Sequence, residues 1–262
     1  MTSLLPSTAA VPSTPTSTEG STIRQWMTVS PTTFSPSQTV AEARAALVGF
    51  RHAPVVESGQ LLGYLHACDL AWFDASRRLG SLALANAQPL EADVSLREGL
   101  HRLRASRHDI VFVGDPLEGV FTEHDAVRAV LAGLSEAQLA LPADRIASRP
   151  VDVVAPDTRL GDARAQLASR WFRHLPVVAT DGRVVGMISW RDVVAGDDDA
   201  RCESVMASPV WTVGPMATLS DVARRMLEGR VGAFPLVEDG AVVGILTRTD
   251  LFAALLDGPE TA

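Results

Sequence analysis

Apolar and polar positions along the chain follow a pattern that changes period and then begins again. From Thr39 the stretch "TVAEARAAL" spaces its apolar residues as one face of a helix. "SLREGLHRL" from Ser95, "RLGDARAQL" from Arg159 and "TLSDVARRML" from Thr218 do the same. Thr39 with Glu42 and Ser95 with Glu98 have capping-box spacing, Thr218 with Asp221 has its shorter-acid form, and Thr158 is expected to cap the third helix. Each helical stretch leads into a short apolar run, a polar turn and a second apolar run: "HAPVVESGQL", "HDIVFVGDPL", "HLPVVATDGRV" and "AFPLVEDGAV". These predict hairpin-like strand pairs. A short extended piece, such as "PVDVVAPD" or "PVWTVGP", precedes each helix.

The second apolar run ends in a glycine-led phrase that occurs four times: "GYLHACDLAWF" from Gly63, "GVFTEHDAVRAVL" from Gly119, "GMISWRDVVAG" from Gly186 and "GILTRTDLFAALL" from Gly244. Four matches in register, with matching flanks, make an internal repeat. Each unit then reads strand, helix, strand, strand, helix, an α/β (α+β) arrangement. The units run over residues 23–76, 77–134, 144–200 and 201–258, with a linker at 135–143 and a Ser/Thr/Pro-rich tail at 1–22 expected to be disordered. One such unit is small for an independent core, so the units should pair.

Composition narrows the function classes. The net charge is -8, and all 23 basic residues are arginine. An acidic balance argues against nucleic acid as the main partner. No apolar stretch reaches the ~18–20 residues of a membrane helix. Cys68 and Cys202 are too few for a disulfide framework, which points to a reducing cytoplasm. The tail lacks the basic and apolar regions of a signal peptide.

Each phrase ends in a hydroxyl–x–x–Asp pattern in units 2 to 4: Thr122 with Asp125, Ser189 with Asp192, Thr247 with Asp250. Its simplest reading is a helix N-cap with an acid at the third helical position, worth ~1 kcal/mol. A second repeated feature is Arg-His before the first strand, at Arg51, Arg107 and Arg173, broken in unit 4 where Gly232 stands. As arginines are mostly exposed, a solvated surface is the simplest reading there too.

The four units, most clearly "RHLPVV...DGRVVGMISWRDV" and "GAFPLVEDGAVVGILTRTDL", resemble CBS (cystathionine-β-synthase) domains, and the two pairs resemble Bateman modules. The resemblance covers about residues 22–257. It implies that Thr122, Asp125, Ser189, Asp192, Thr247 and Asp250 hold the ribose of an adenosine ligand, with Asp69 as the carboxylate in unit 1. Arg51, Arg107 and Arg173 would face its phosphates. An ionised carboxylate suits a vicinal diol, and the arginine fork suits phosphate. His66 stands where unit 1 should carry a hydroxyl, so that site is expected to be empty or altered.

The ligand implied is AMP, ADP or ATP, with S-adenosylmethionine or cyclic di-AMP as alternatives and no metal. The close spacing of His66, Cys68 and Asp69 is a poor ligand set. The expected role is regulation of a partner protein, the alternative being a ligand-independent scaffold, with a homodimer as the expected assembly. No nucleophile elbow, Walker loop or metal motif occurs, so an enzyme is not expected. His101 and His124 are read as surface or capping residues. Trp26, Trp72, Trp171, Trp190 and Trp211 are read as core or interface residues. Asp197–Asp199 is read as a solvated loop.

Overall fold

Four antiparallel hairpins, each followed by a helix, carry the architecture. The computed structural model describes residues 20–47, 51–70, 72–106, 108–170 and 172–258, so most of the expected tail lies outside the described residues. The first unit contains β1 (Thr28–Val29), α1 (Val40–Ala46), β2 (His52–Glu57), β3 (Gln60–His66) and α2 (Ala67–Leu70). The second has α3 (Leu96–Ala105), β4 (Ile110–Val113), β5 (Gly119–Thr122) and α4 (Glu123–Gly133). A short α5 (Glu136–Leu139) lies in the linker. The third unit has α6 (Leu160–Arg170), β6 (His174–Val178), β7 (Val184–Ser189) and α7 (Trp190–Ala195). The fourth has α8 (Leu219–Glu228), β8 (Ala233–Glu238), β9 (Ala241–Thr247) and α9 (Arg248–Asp257).

Thr39, Ser95 and Thr218 cap α1, α3 and α8 as their spacing predicts, each hydroxyl accepting the N–H three residues on. Thr158 does not cap α6; its hydroxyl accepts the Ala155 N–H at 3.1 Å and shapes the turn before the helix. The extended piece expected before each helix shrinks to a single parallel bridge: Phe34 to Val55, Leu90 to Val113, Val154 to Val177 and Val213 to Leu236. Prolines flank these positions (Pro31, Pro36, Pro89, Pro150, Pro156, Pro209, Pro215), and a residue with no N–H cannot extend a ladder.

The start of each unit packs on the other member of its pair. Ile23 and Arg24 donate their backbone N–H groups to Val94 and Ala92, and β1 pairs with β5. Leu79 and Ala85 return to the first unit through Gln38 and Tyr64. The same exchange occurs in the second pair, where Ala143 bonds Ala217, Ser148 bridges Ile245, and Ala207 bridges Met187. This exchange explains the repeated glycine. A Cβ at Gly186 would lie 2.4 Å from the Met206 sulfur, and at Gly119 2.8 Å from that of Met27. Glycine is what lets the crossing segment lie against the second strand.

The two pairs are joined helix to helix. One continuous apolar cluster holds Trp26, Leu100, Phe121 and Val127 of the first pair together with Val222, Phe234, Leu251 and Phe252 of the second. Helix α4 packs on α8 and α9, α3 touches α9, and α2 meets α7 on the side of units 1 and 3. No helix among the described residues is long and apolar enough to cross a membrane. Trp26 belongs to the core, whereas Trp72 and Trp211 are exposed, contrary to the core-or-interface expectation for tryptophan as far as the core is concerned. Trp72 is instead covered on one face by the Arg164 guanidinium. Trp171 lies outside the described residues.

Candidate functional site

The four glycine-led phrases each form a corner where the second strand of a hairpin turns into a helix. At three corners the hydroxyl residue is the helix N-cap and the aspartate closes a capping box. Asp125 accepts from the Thr122 N–H (2.9 Å) and O–H (2.8 Å). Asp192 accepts from Ser189 at 2.7 and 2.6 Å, and Asp250 from Thr247 at 2.7 and 2.6 Å. In each case these bonds go to one carboxylate oxygen, Oδ2. The capping account is therefore correct at every one of the three.

The corners differ in what meets the other oxygen, Oδ1. At the fourth unit the Ser148 hydroxyl donates to Asp250 Oδ1 at 2.8 Å. At the second, Thr28 donates to Asp125 Oδ1 and Arg128 Nη1 lies 3.4 Å from it. Asp125 is consequently sealed, 1% exposed. Burial pushes its pKa up to about 6, against the pull of Thr122, Arg128 and Thr28. Burial also raises Asp250, opposed by Thr247 and Ser148. The residues supplying these hydroxyls occupy one structural position, facing the residue after the repeated glycine: Thr28 faces Val120 and Ser148 faces Ile245. In the third and first units that position is Ala207, facing Met187, and Ala85, facing Tyr64. Alanine offers no hydroxyl, and among the described residues no hydrogen bond reaches Asp192 Oδ1.

A cavity of about 1190 Å³ opens beside that carboxylate. Ser189 and Asp192 line it, as does Asp69 of the first unit; Asp125 and Asp250 do not. Its wall near Asp192 is apolar, from Met187, Ala207, Pro209, Val210 and Trp211. Another part of its wall is cationic, with Arg51, Arg173 and the exposed Arg191. Burial lowers the Arg51 pKa, and the nearby Arg173 and Arg191 add to the effect, while Glu123 and Asp109 oppose it. Asp69 also borders a second, smaller cavity of about 270 Å³ with Tyr64, Trp72 and Ala85.

His66, at the hydroxyl position of the first unit, belongs to a cluster of rings. It lies 5.3 Å from the His52 ring and stacks 5.4 Å from His108. His52 Nε2–H donates to the His108 carbonyl at 2.6 Å, and the Tyr64 hydroxyl bonds His108 Nδ1 at 2.9 Å. Burial holds His66 neutral, its pKa down to about 4, with His108 and Arg51 adding to the shift. His101 is exposed, and His124 sits half-buried in the first turn of α4. Among the described residues no group of three or more His, Cys, Asp or Glu side chains could hold a metal ion.

The basic positions need a correction of register. The corner hydroxyl positions pair across their hairpins with His52, Ile110, His174 and Ala233. The residues one step earlier are therefore Arg51, Asp109, Arg173 and Gly232, and all four line the cavity. Arg107 is two residues out of step with Arg51 and Arg173 and lies outside the described residues; the repeated Arg-His is a likeness of sequence that the strand register does not follow in unit 2. Asp109 stands there instead.

Arg173 is the centre of the polar contacts. Its Nη1 donates to Asp109 Oδ2, and its Nη2 donates to Glu123 Oε1 at 2.6 Å and Thr249 Oγ1 at 3.0 Å. Burial and the neighbouring Glu123 lift the Asp109 pKa well above the carboxylate range, while Arg173 and Arg51 pull it back. Glu123, Arg248 and Thr249 are residues between the hydroxyl and the aspartate of their corners. They carried no signal in the linear motif, yet they point to the centre of the fold. Arg248 is 7% exposed, and its Nε–H has no hydrogen-bond partner among the described residues.

The CBS domain family model matches residues 23–75, 143–197 and 202–257. An uncharacterised protein of Methanocaldococcus jannaschii is 30% identical over 153 residues, 52% of this chain and 53% of that protein, so the chain spans about half the length of this curated relative. The crystal structure of the same archaeal protein superposes with a TM-score of 0.77 at 21% identity, covering 89% of this chain and 99% of that one. A conserved protein from Pyrococcus horikoshii superposes with a TM-score of 0.65 at 21% identity, covering 90% and 100%. Both superpositions are likenesses of fold. With the family model matching more than half of its residues, the chain belongs to the CBS domain family.

Proposed function

We propose that the chain is a regulatory sensor that binds an adenosine ligand of the AMP, ADP or ATP class in the cavity beside Ser189 and Asp192. The observation that carries this is the contrast between corners. Asp192 keeps an oxygen open to a cavity that is apolar on one side and cationic on the other, whereas Asp125 and Asp250 are closed by Thr28 and Ser148. The ribose diol would bond Asp192, the base would lie against Met187, Pro209 and Val210, and the phosphate would face Arg51 and Arg191. Asp69 gives unit 1 an altered site with a carboxylate and no hydroxyl.

In this reading residues 77–134 form a fourth CBS repeat. Its α3–β4–β5–α4 order and its Leu90–Val113 bridge parallel those of the other three units. The four repeats make two Bateman modules that pack on each other within one chain. A homodimer would then need a face other than the α3, α4, α8 and α9 helices, which are already in contact. Because the cavity touches all four units, a ligand that binds one arrangement of the modules more tightly shifts the population toward it and alters their grip on a partner protein. The reading includes a cytoplasmic location and no catalytic activity.

Thermal-shift measurements of ligand-stripped protein against AMP, ADP, ATP, S-adenosylmethionine and cyclic di-AMP test it. A stabilisation by an adenosine ligand that is lost in Asp192→Ala and kept in Asp250→Ala is expected. A flat response across the panel would leave the second reading, a ligand-independent scaffold, for which the self-satisfied caps of units 2 and 4 speak.

A further inference from the structure

We propose that Asp109 sets the charge selectivity of the cavity, admitting a nucleoside monophosphate and discriminating against longer phosphate tails. The inference rests on the nucleotide reading above. Asp109 is the one acid at a position filled in the other three units by Arg51, Arg173 and Gly232, and all four positions line the same cavity. Its carboxylate takes a guanidinium N–H of Arg173, as a phosphate oxygen would. Glu123, its side chain 5% exposed, holds the same guanidinium from behind at 2.6 Å. Asp109 is the more open of the two, at 22%, and lines the cavity side by side with Arg173.

A tail of more than one phosphate that reached toward Arg173 would bring its added charge against Asp109. Like charges brought together in a partly desolvated site oppose binding. Arg51 and Arg191 have no ion pair among the described residues, and they are left to receive the first phosphate.

The backbone of Asp109 allows a clean test. Its φ is +57°, a left-handed conformation that asparagine and glycine also adopt readily. Asp109→Asn and Asp109→Gly therefore remove the charge without demanding a new backbone. Calorimetric Kd values for AMP and ATP, in magnesium-free buffer on the full chain at pH 8.5, where the raised Asp109 carboxyl is ionised, are compared for wild type, both variants and Asp181→Asn. Asp181 is an exposed acid paired with Arg183, so its variant removes the same charge elsewhere. Wild type is expected to prefer AMP. Both Asp109 variants should shift the ATP-to-AMP affinity ratio toward ATP by roughly tenfold, and Asp181→Asn should leave it in place. An unchanged ratio in folded Asp109→Asn and Asp109→Gly, an equal shift in Asp181→Asn, or a wild type that prefers ATP would overturn the proposal. Failure of wild type to bind either nucleotide would overturn the nucleotide reading itself and this inference with it.

Discussion

Ala207→Ser should close the one corner that the structure leaves both open and complete. Ala207 faces Met187 as Ser148 faces Ile245 in the fourth unit, where the serine hydroxyl donates to the corner aspartate at 2.8 Å. A serine at 207 places the same donor beside Asp192 Oδ1, and a ribose hydroxyl must then displace it. A hydrogen bond to a charged group contributes about 1.5–3 kcal/mol. Affinity should fall by roughly tenfold to a hundredfold. The change is small, sits on an exposed segment and removes no existing contact, so the melting temperature should stay where it is. Titration calorimetry of AMP into wild type and Ala207→Ser measures the effect. Equal affinities in two equally stable proteins would refute the idea that cross-strand hydroxyls decide which corners are open.

Two further outcomes follow from burial and packing. The Asp125 pKa is raised by folding from its ordinary 3.8 to about 6, so the folded state holds its proton longer than the unfolded chain does. Stability linked to this group is therefore fully present below about pH 4 and lost as pH rises to about 6, a change of ~3 kcal/mol. The groups facing it, Thr28, Thr122 and Arg128, keep their charge state over that range. Denaturant titrations at pH 4, 5 and 7 should show the slope in wild type and a flatter profile in Asp125→Asn; identical profiles would contradict the assignment. Gly186→Ala puts a methyl 2.4 Å from the Met206 sulfur and 3.2 Å from the Ala207 carbonyl. It should lower stability by about 1–3 kcal/mol, and a loss below ~0.5 kcal/mol in a denaturant melt would show that the crossing segment is not held as described.

The sequence carries those parts of the fold that have a short period. The caps at Thr39, Ser95 and Thr218, the hairpins and the three capped corners are local patterns, and each forms where its spacing places it. Contacts between units have no such signature. Thr28 and Ser148 lie 97 and 102 residues from the carboxylates they bond, so the closing of two corners is invisible until the strands are paired. Asp109 was hidden by a misleading likeness: the Arg-His before it invites alignment with Arg51 and Arg173, and only the Ile110–Thr122 pairing shows that the acid holds that place. Glu123, Arg248 and Thr249 occupy motif positions that any residue could fill, and they gain meaning from the three units that converge on Arg173. The glycine of each phrase was legible as a required residue, although its neighbour in units 2 and 3 is a crossing methionine.

The central claim is that Asp192 holds the ribose of an adenosine ligand. Titration calorimetry of AMP into folded wild type and Asp192→Asn tests it most directly, because asparagine keeps an acceptor for Ser189 but loses the charge. Saturable binding to wild type and a Kd at least roughly tenfold weaker in the variant are expected. Equal affinity for AMP in the two proteins would contradict it.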